Sequence, residues 1–141
     1  MIAYFDTSAL VKLVIQEQGS DRAERFWREA SRIVSTVLLY PEARVALKRA
    51  CRDRRLRNAE LRLAVRGVER LWVQVERILV SVALAERAGE LAHAFDLRGY
   101  DAVHLAAAET LAAAPVAFVC ADGPLCDAAA ASGLAVARVA H

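Results

Sequence analysis

The chain has 141 residues, 57% of them hydrophobic and 26% charged, with a formal net charge of +2. That length and balance describe one globular domain and exclude a disordered chain, while so small a net charge names no partner by itself. Three cysteines, Cys51, Cys120 and Cys126, make no CxxC pair, which argues against a disulfide framework or a zinc site and makes reduced thiols in the cytoplasm the expectation.

No basic segment precedes an apolar run at the N-terminus, so no signal peptide is expected. No apolar stretch reaches the ~18 residues of a membrane span, so no membrane is expected as a partner. Residues 2–5, IAYF, read as a first strand. A helix follows over 8–17, with Leu10, Val11, Val14 and Ile15 on one face. Gly19-Ser20 stops it, and Ser20 or Asp21 caps a second helix to about 31. Residues 32–36 read as a second strand. A third helix starts near 36–38, carries Pro41 in its first turns and runs to about 55. Asn58 caps a fourth, to about 75.

The β-branched run 78–82 reads as a short strand. Helices over 83–97 and 100–114 meet at Gly99, and Pro115 ends the second. Residues 116–120 form a strand ending in Ala121-Asp122. A short helix over 125–132 and a last strand over 134–139 flank Gly133. Apolar strands alternating with helices suit a mostly parallel sheet of about four to five strands, buried on both faces. The expected fold is a single three-layer α/β/α domain spanning 1–141.

The first strand runs straight into Asp6. An aspartate there can simply cap the next helix. It also stands beyond the carboxyl end of a strand, where open α/β sheets bind ligands. Asp122 repeats the situation after VAFVC, Asp101 opens a helix in GYDAVHLAAAE, and Glu42 lies in the first turns of the helix after strand two. Each has a bland reading, as a favourable charge at a helix N-terminus or as a turn residue. Together they converge on one edge of the sheet. Four carboxylates within ~4 Å would repel by about 4 kcal/mol per pair at an effective dielectric of 20. A cation between them relieves this, and oxygen-only ligands select hard ions, Mg²⁺ or Mn²⁺.

These motifs resemble those of PIN-domain ribonucleases, in particular the VapC-type toxins of VapBC toxin–antitoxin pairs. The resemblance spans nearly the whole chain: YFDTSALVKL followed by EQGS, Glu42 in STVLLYPEARVAL, Asp101 in LRGYDAVHLAAA, and Asp122 in FVCAD before LCDAAAASGLAV. The acids are 36, 59 and 21 residues apart in turn. The resemblance implies that Asp6, Glu42, Asp101 and Asp122 hold a divalent metal and are catalytic. It places Thr7 and Ser8 beside the first acid, with Ser8 nearest the metal water, and Asp127 close behind the site. It implies a metal-dependent endoribonuclease in which a metal-activated water leaves 5′-phosphate and 3′-hydroxyl ends. A homodimer and a cognate VapB-type antitoxin protein are the partners it implies.

Around the acids, His104 shares a helical face with Asp101 and reads as a structural or substrate-edge residue. His93 and His141 belong to no constellation. From 48 to 70 there are nine Lys/Arg against three acids, a net +6, leaving −4 for the remainder. A charge run is usually a solvated face, but arginines flanking an acidic cleft suit a phosphate backbone. Arg52, Arg55 and Arg62 are the RNA-binding candidates, on a basic helical clip at about 38–76. Phe26, Trp27 and Trp72 read as core or interface.

Two other α/β enzymes with strand-end acids fail on their own chemistry. A haloacid-dehalogenase phosphatase needs Asp-x-Asp, and a receiver domain needs a late lysine, whereas Lys12 and Lys48 are both early. The remaining alternatives are a non-cleaving PIN-fold scaffold that binds RNA or metal, and a PIN nuclease that processes RNA or cuts DNA outside any toxin–antitoxin pair.

Overall fold

A computed structural model describes residues 1–111 and 113–140, so His141 and Ala112 lie outside the described residues. The elements are β1 (Ile2–Phe5), α1 (Thr7–Val11), α2 (Ser20–Glu29), β2 (Arg32–Thr36), α3 (Leu39–Arg52) and α4 (Asn58–Trp72). They continue as β3 (Glu76–Ile78), α5 (Val82–Phe95), α6 (Gly99–Glu109), β4 (Val116–Cys120), α7 (Gly123–Ala131) and β5 (Ala135–Arg138). The five strands form one sheet in the order β3-β2-β1-β4-β5, and every neighbouring pair is parallel.

The central strand β1 shows why the sheet needs two helical layers. Successive side chains of a strand point to opposite faces. Ile2 and Tyr4 join Val34, Phe118 and Leu105 on one face, under α5, α6 and α7. Ala3 and Phe5 join Leu10, Leu39, Leu47 and Val68 on the other, under α1 to α4. All four residues of β1 are buried. Tyr4 stacks on Phe118 at 5.4 Å between ring centres, and Phe5 meets the half-buried Trp27 edge-on at 5.2 Å at the margin of the core. A fully buried side chain of this size contributes about 1.5–3 kcal/mol.

Several boundaries differ from the sequence reading. The first helix ends at Val11 rather than 17, because Lys12, Leu13 and Val14 continue as turns with their amides bonded three residues back. Gly19, at φ +90°, is the N-cap of α2, and a Cβ there would lie 1.5 Å from the Val139 carbonyl oxygen. Arg57, not Asn58, is the N-cap residue of α4, and Glu60 reaches back to accept from the Arg57 backbone amide at 2.8 Å. The third strand is 76–78, not 78–82, since Ser81 caps α5 by accepting from the Leu84 amide. Asp96 in the left-handed region, rather than Gly99, ends α5. The basic clip at 38–76 is the α3–α4 hairpin. Gly67 lets α4 sit close against the first turn, since a Cβ there would meet Val14 Cγ1 at 2.8 Å. Among the described residues no helix is long and apolar enough to cross a membrane.

Candidate active site

In a parallel sheet the carboxyl ends share one edge, and the candidate acids gather there. Asp6 follows β1 directly. Its Oδ1 accepts from the Ala9 amide at 2.9 Å, so it is the side-chain cap of α1. It is also 3% exposed and faces the cavity. Asp6 therefore caps α1 and also stands in the cavity wall. Ser8 Oγ lies 2.8 Å from both Asp6 carboxylate oxygens and accepts from the Ala121 amide at 2.9 Å, tying the end of β1 to the end of β4. Cys120 Sγ donates to Asp6 Oδ2 at 3.4 Å.

Glu42 stands in the first turn of α3 and is held by α1 and α6. Thr7 Oγ1 donates to Glu42 Oε1 at 2.8 Å, and His104 Nε2 lies 2.7 Å from the same oxygen. A carboxylate only accepts, so Nε2 carries the proton, and in a neutral ring Nδ1 is then an acceptor. The Tyr4 hydroxyl lies 2.9 Å from Nδ1 and supplies that donor. His104 is 1% exposed, so this chain from Tyr4 through His104 to Glu42 is buried to its last member.

Asp122 caps α7 by accepting from the Leu125 amide at 3.0 Å, and Asp101 lies in the first turn of α6. Arg98 bridges them, with Nε 3.0 Å from Asp101 Oδ2 and Nη2 3.3 Å from Asp122 Oδ2. All four acids, with Thr7, Ser8, His104 and Arg98, line one cavity of about 1110 Å³. Its apolar wall includes Leu38, Val45, Val80, Ala88 and Val103.

The surroundings set each charge differently. Burial pushes the Asp6 carboxyl above the ordinary range, against the opposing pull of His104, the Ala9 amide, Ser8 and Cys120. Burial, helped by the charge of Asp122, also raises Asp101, and Arg98 offsets this only in part. At Glu42 burial acts upward too, but His104, Thr7 and Arg98 together outweigh it and hold the acid below its usual value. The hydrogen bond with Cys126, then burial and the charge of Asp6, keep Cys120 a thiol.

The donor set suits a hard divalent cation. Asp6, Glu42, Asp101 and Asp122, with the hydroxyls of Thr7 and Ser8, are among the groups lining the cavity, and Asp101 and Asp122 already share a positive group. As the described side chains stand, no three His, Cys, Asp or Glu residues are grouped closely enough to hold an ion.

Other expected residues fall elsewhere. Asp127 is 73% exposed at its side chain and pairs with Arg138. Leu125, Cys126, Ala128 and Ala129 turn inward on α7, which directs Asp127 away from the cavity. Of the three basic candidates, Arg55 lines the cavity and lies 3.8 Å from Glu17, whereas Arg52 and Arg62 are exposed on the clip outside it. Arg49, not singled out before, also lines the cavity. Arg98 was missed as well, although its place three residues before Asp101 puts both on one helical face.

The PIN domain family model matches residues 3–123. Ribonuclease VapC45 of Mycobacterium tuberculosis (strain CDC 1551 / Oshkosh) is 42% identical over 107 residues, covering 76% of this chain and 74% of that protein. The crystal structure of Mycobacterium tuberculosis VapC20, described as a Sarcin-Ricin loop cleaving toxin, superposes with a TM-score of 0.70 at 20% identity, over 96% of this chain and 98% of that one. VapBC2 from Rickettsia felis, bound to a DNA fragment from its promoter, gives 0.67 at 12% identity over 98% of both. At such identities the two structures speak for the fold alone.

Proposed function

The chain belongs to the PIN domain family, and from that premise we propose that it is an endoribonuclease, the toxin of a toxin–antitoxin pair, working with Mg²⁺ or Mn²⁺. The observation that carries this reading is the convergence of Asp6, Glu42, Asp101 and Asp122 on one cavity from four separate elements. These acids would hold the ion, which when bound lowers the pKa of its water and neutralises charge at the phosphate.

The chain itself supplies orientation and substrate binding. Ser8 and the Ala9 amide fix the Asp6 carboxylate, and Thr7 and His104 fix that of Glu42. Preorganised carboxylates spare the reaction the cost of arranging them. Arg49 and Arg55 at the cavity edge meet an incoming phosphate backbone, with Arg52 and Arg62 extending the positive surface. Ser8, hydrogen-bonded to Asp6, would stand nearest a metal-bound water. Water rather than the ribose 2′-hydroxyl attacks, so the products are 5′-phosphate and 3′-hydroxyl ends. A cognate antitoxin protein completes the setting, supported by the likeness to VapBC2, a toxin–antitoxin pair; the cytoplasm and a homodimer belong to the same proposal.

The test is incubation of the purified chain with RNA and Mn²⁺, with and without EDTA, followed by mapping of the ends. Cleavage should need the ion and disappear in Glu42→Ala and Asp101→Ala. Equal cutting by those variants would overturn the site. RNA that binds but stays intact in Mn²⁺ would make the chain a non-cleaving scaffold.

A further inference from the structure

Arg98 occupies a position the reaction leaves unexplained. It is the N-cap residue of α6, yet its side chain makes no capping hydrogen bond. The guanidinium instead spans Asp101 and Asp122, which come from different helices, and its side chain remains 79% exposed. A positive group thus stands between two of the four acids expected to hold the ion. Two cations compete for the same carboxylate oxygens. The guanidinium is the one that can leave, because exposed ion pairs contribute little and its long stem reaches into solvent. Once free, its planar fork matches the paired oxygens of a phosphate.

Resting on the proposed metal-dependent activity, we propose that Arg98 is an internal counter-ion that holds Asp101 and Asp122 together before the metal arrives, yields them to it, and then binds a phosphate of the RNA. It is thereby a substrate-binding residue that becomes available only in the loaded site. The exchange is one of ionic partners, with no bond made or broken.

Arg98→Gln, which keeps length and polarity, separates the roles. In EDTA the Gln variant should melt below the wild type, because two acids lose their counter-ion. In Mn²⁺ calorimetry on the full chain it should bind the ion about two- to fivefold more tightly, the scale of one or two exposed ion pairs. In Mn²⁺ it should bind a cleavage-resistant RNA more weakly, with a salt slope reduced by about one. Arg98→Lys, which keeps the charge, should recover the melting temperature in EDTA. An Arg98→Gln variant with unchanged or weaker Mn²⁺ affinity would overturn the exchange, and an unchanged RNA salt slope would overturn the phosphate contact. If the wild type itself takes up no Mn²⁺, the metal-dependent reading fails along with it. Asp101→Asn, which should lose Mn²⁺ heat while retaining Arg98, provides the reference for that case.

Discussion

Asp6 sits where a helix needs a cap and a site needs a carboxylate, and its burial gives the two roles different thermodynamic signatures. From the sequence, repulsion among four converging acids is the expected source of strain at the site. In the folded chain the main cause is burial, since Arg98 partly neutralises the Asp101–Asp122 pair. Asn caps a helix about as well as Asp. Asp6→Asn should therefore melt higher than wild type in EDTA at neutral pH, gain less from Mn²⁺, and be inactive. The sign with pH follows from linkage. A carboxyl raised in the folded state costs stability where it must ionise, above its folded value. That cost vanishes as pH falls toward the unfolded value of about 3.9. The melting advantage of Asp6→Asn in EDTA should therefore shrink on acidification, and a gap that holds constant from pH 7 to 4 would contradict the assignment.

His104 makes the opposite case, since it acts through another residue. It lowers Glu42, and a depressed carboxyl contributes stability above its unfolded value that is lost as pH falls through the folded one. His104→Ala should cut cleavage by about 10–100-fold through a misplaced Glu42. His104→Gln, which can still donate to Glu42, should recover part of it. Rates of both variants, with melting curves beside them, distinguish orientation from simple loss of fold. A Gln variant as slow as Ala, with wild-type melting, would place the role of His104 elsewhere.

At the scale of elements, the α3–α4 hairpin joins a buried inner face to a basic outer one. Leu47, Ala50, Ala64 and Val68 anchor it to the core, while Arg52 and Arg62 face outward and Arg55, in the turn between the helices, reaches the cavity. Neutralising these three arginines together should weaken RNA binding at low salt and flatten the salt dependence by about one unit of slope per lost phosphate contact. An unchanged slope in filter-binding titrations would assign the hairpin to dimer contacts or solubility.

Elements of this kind were legible in the sequence because their cause is local. Apolar runs set the strands, and proline and glycine punctuate the chain. The errors lie where a local signal was outbid. The β-branched run from Ile78 to Val82 looks like a strand, but β3 pairs along β2 for only three residues, 76–78, before Ser81 claims the chain for α5. Asp96 adopts a left-handed conformation that glycine usually takes, so the break fell three residues from where Gly99 suggested. In the site, the four acids were readable from their place after strands and at helix starts. The His104–Glu42 contact was not, because it joins residues 62 positions apart and exists only once α3 and α6 pack on the same sheet edge.

For the whole molecule, the arrangement of strands matters more than their number. β1 is made first and lies at the centre, with β2 on one side and β4 on the other. Ile2 pairs in register with Val116, across nearly the full chain. Such distant pairing is slow to form and depends on most of the chain being present. Domains also fold as units once their sequence is available. Asp6 and Asp122, at the ends of β1 and β4, cannot meet until both strands are in the sheet. A growing chain on the ribosome therefore carries three of the four acids without a finished cleft. The sheet edge on which all four acids stand thus exists only once nearly the whole domain has been made and has folded as a unit, so a chain cut short before β4 keeps three of the acids and none of the cleft.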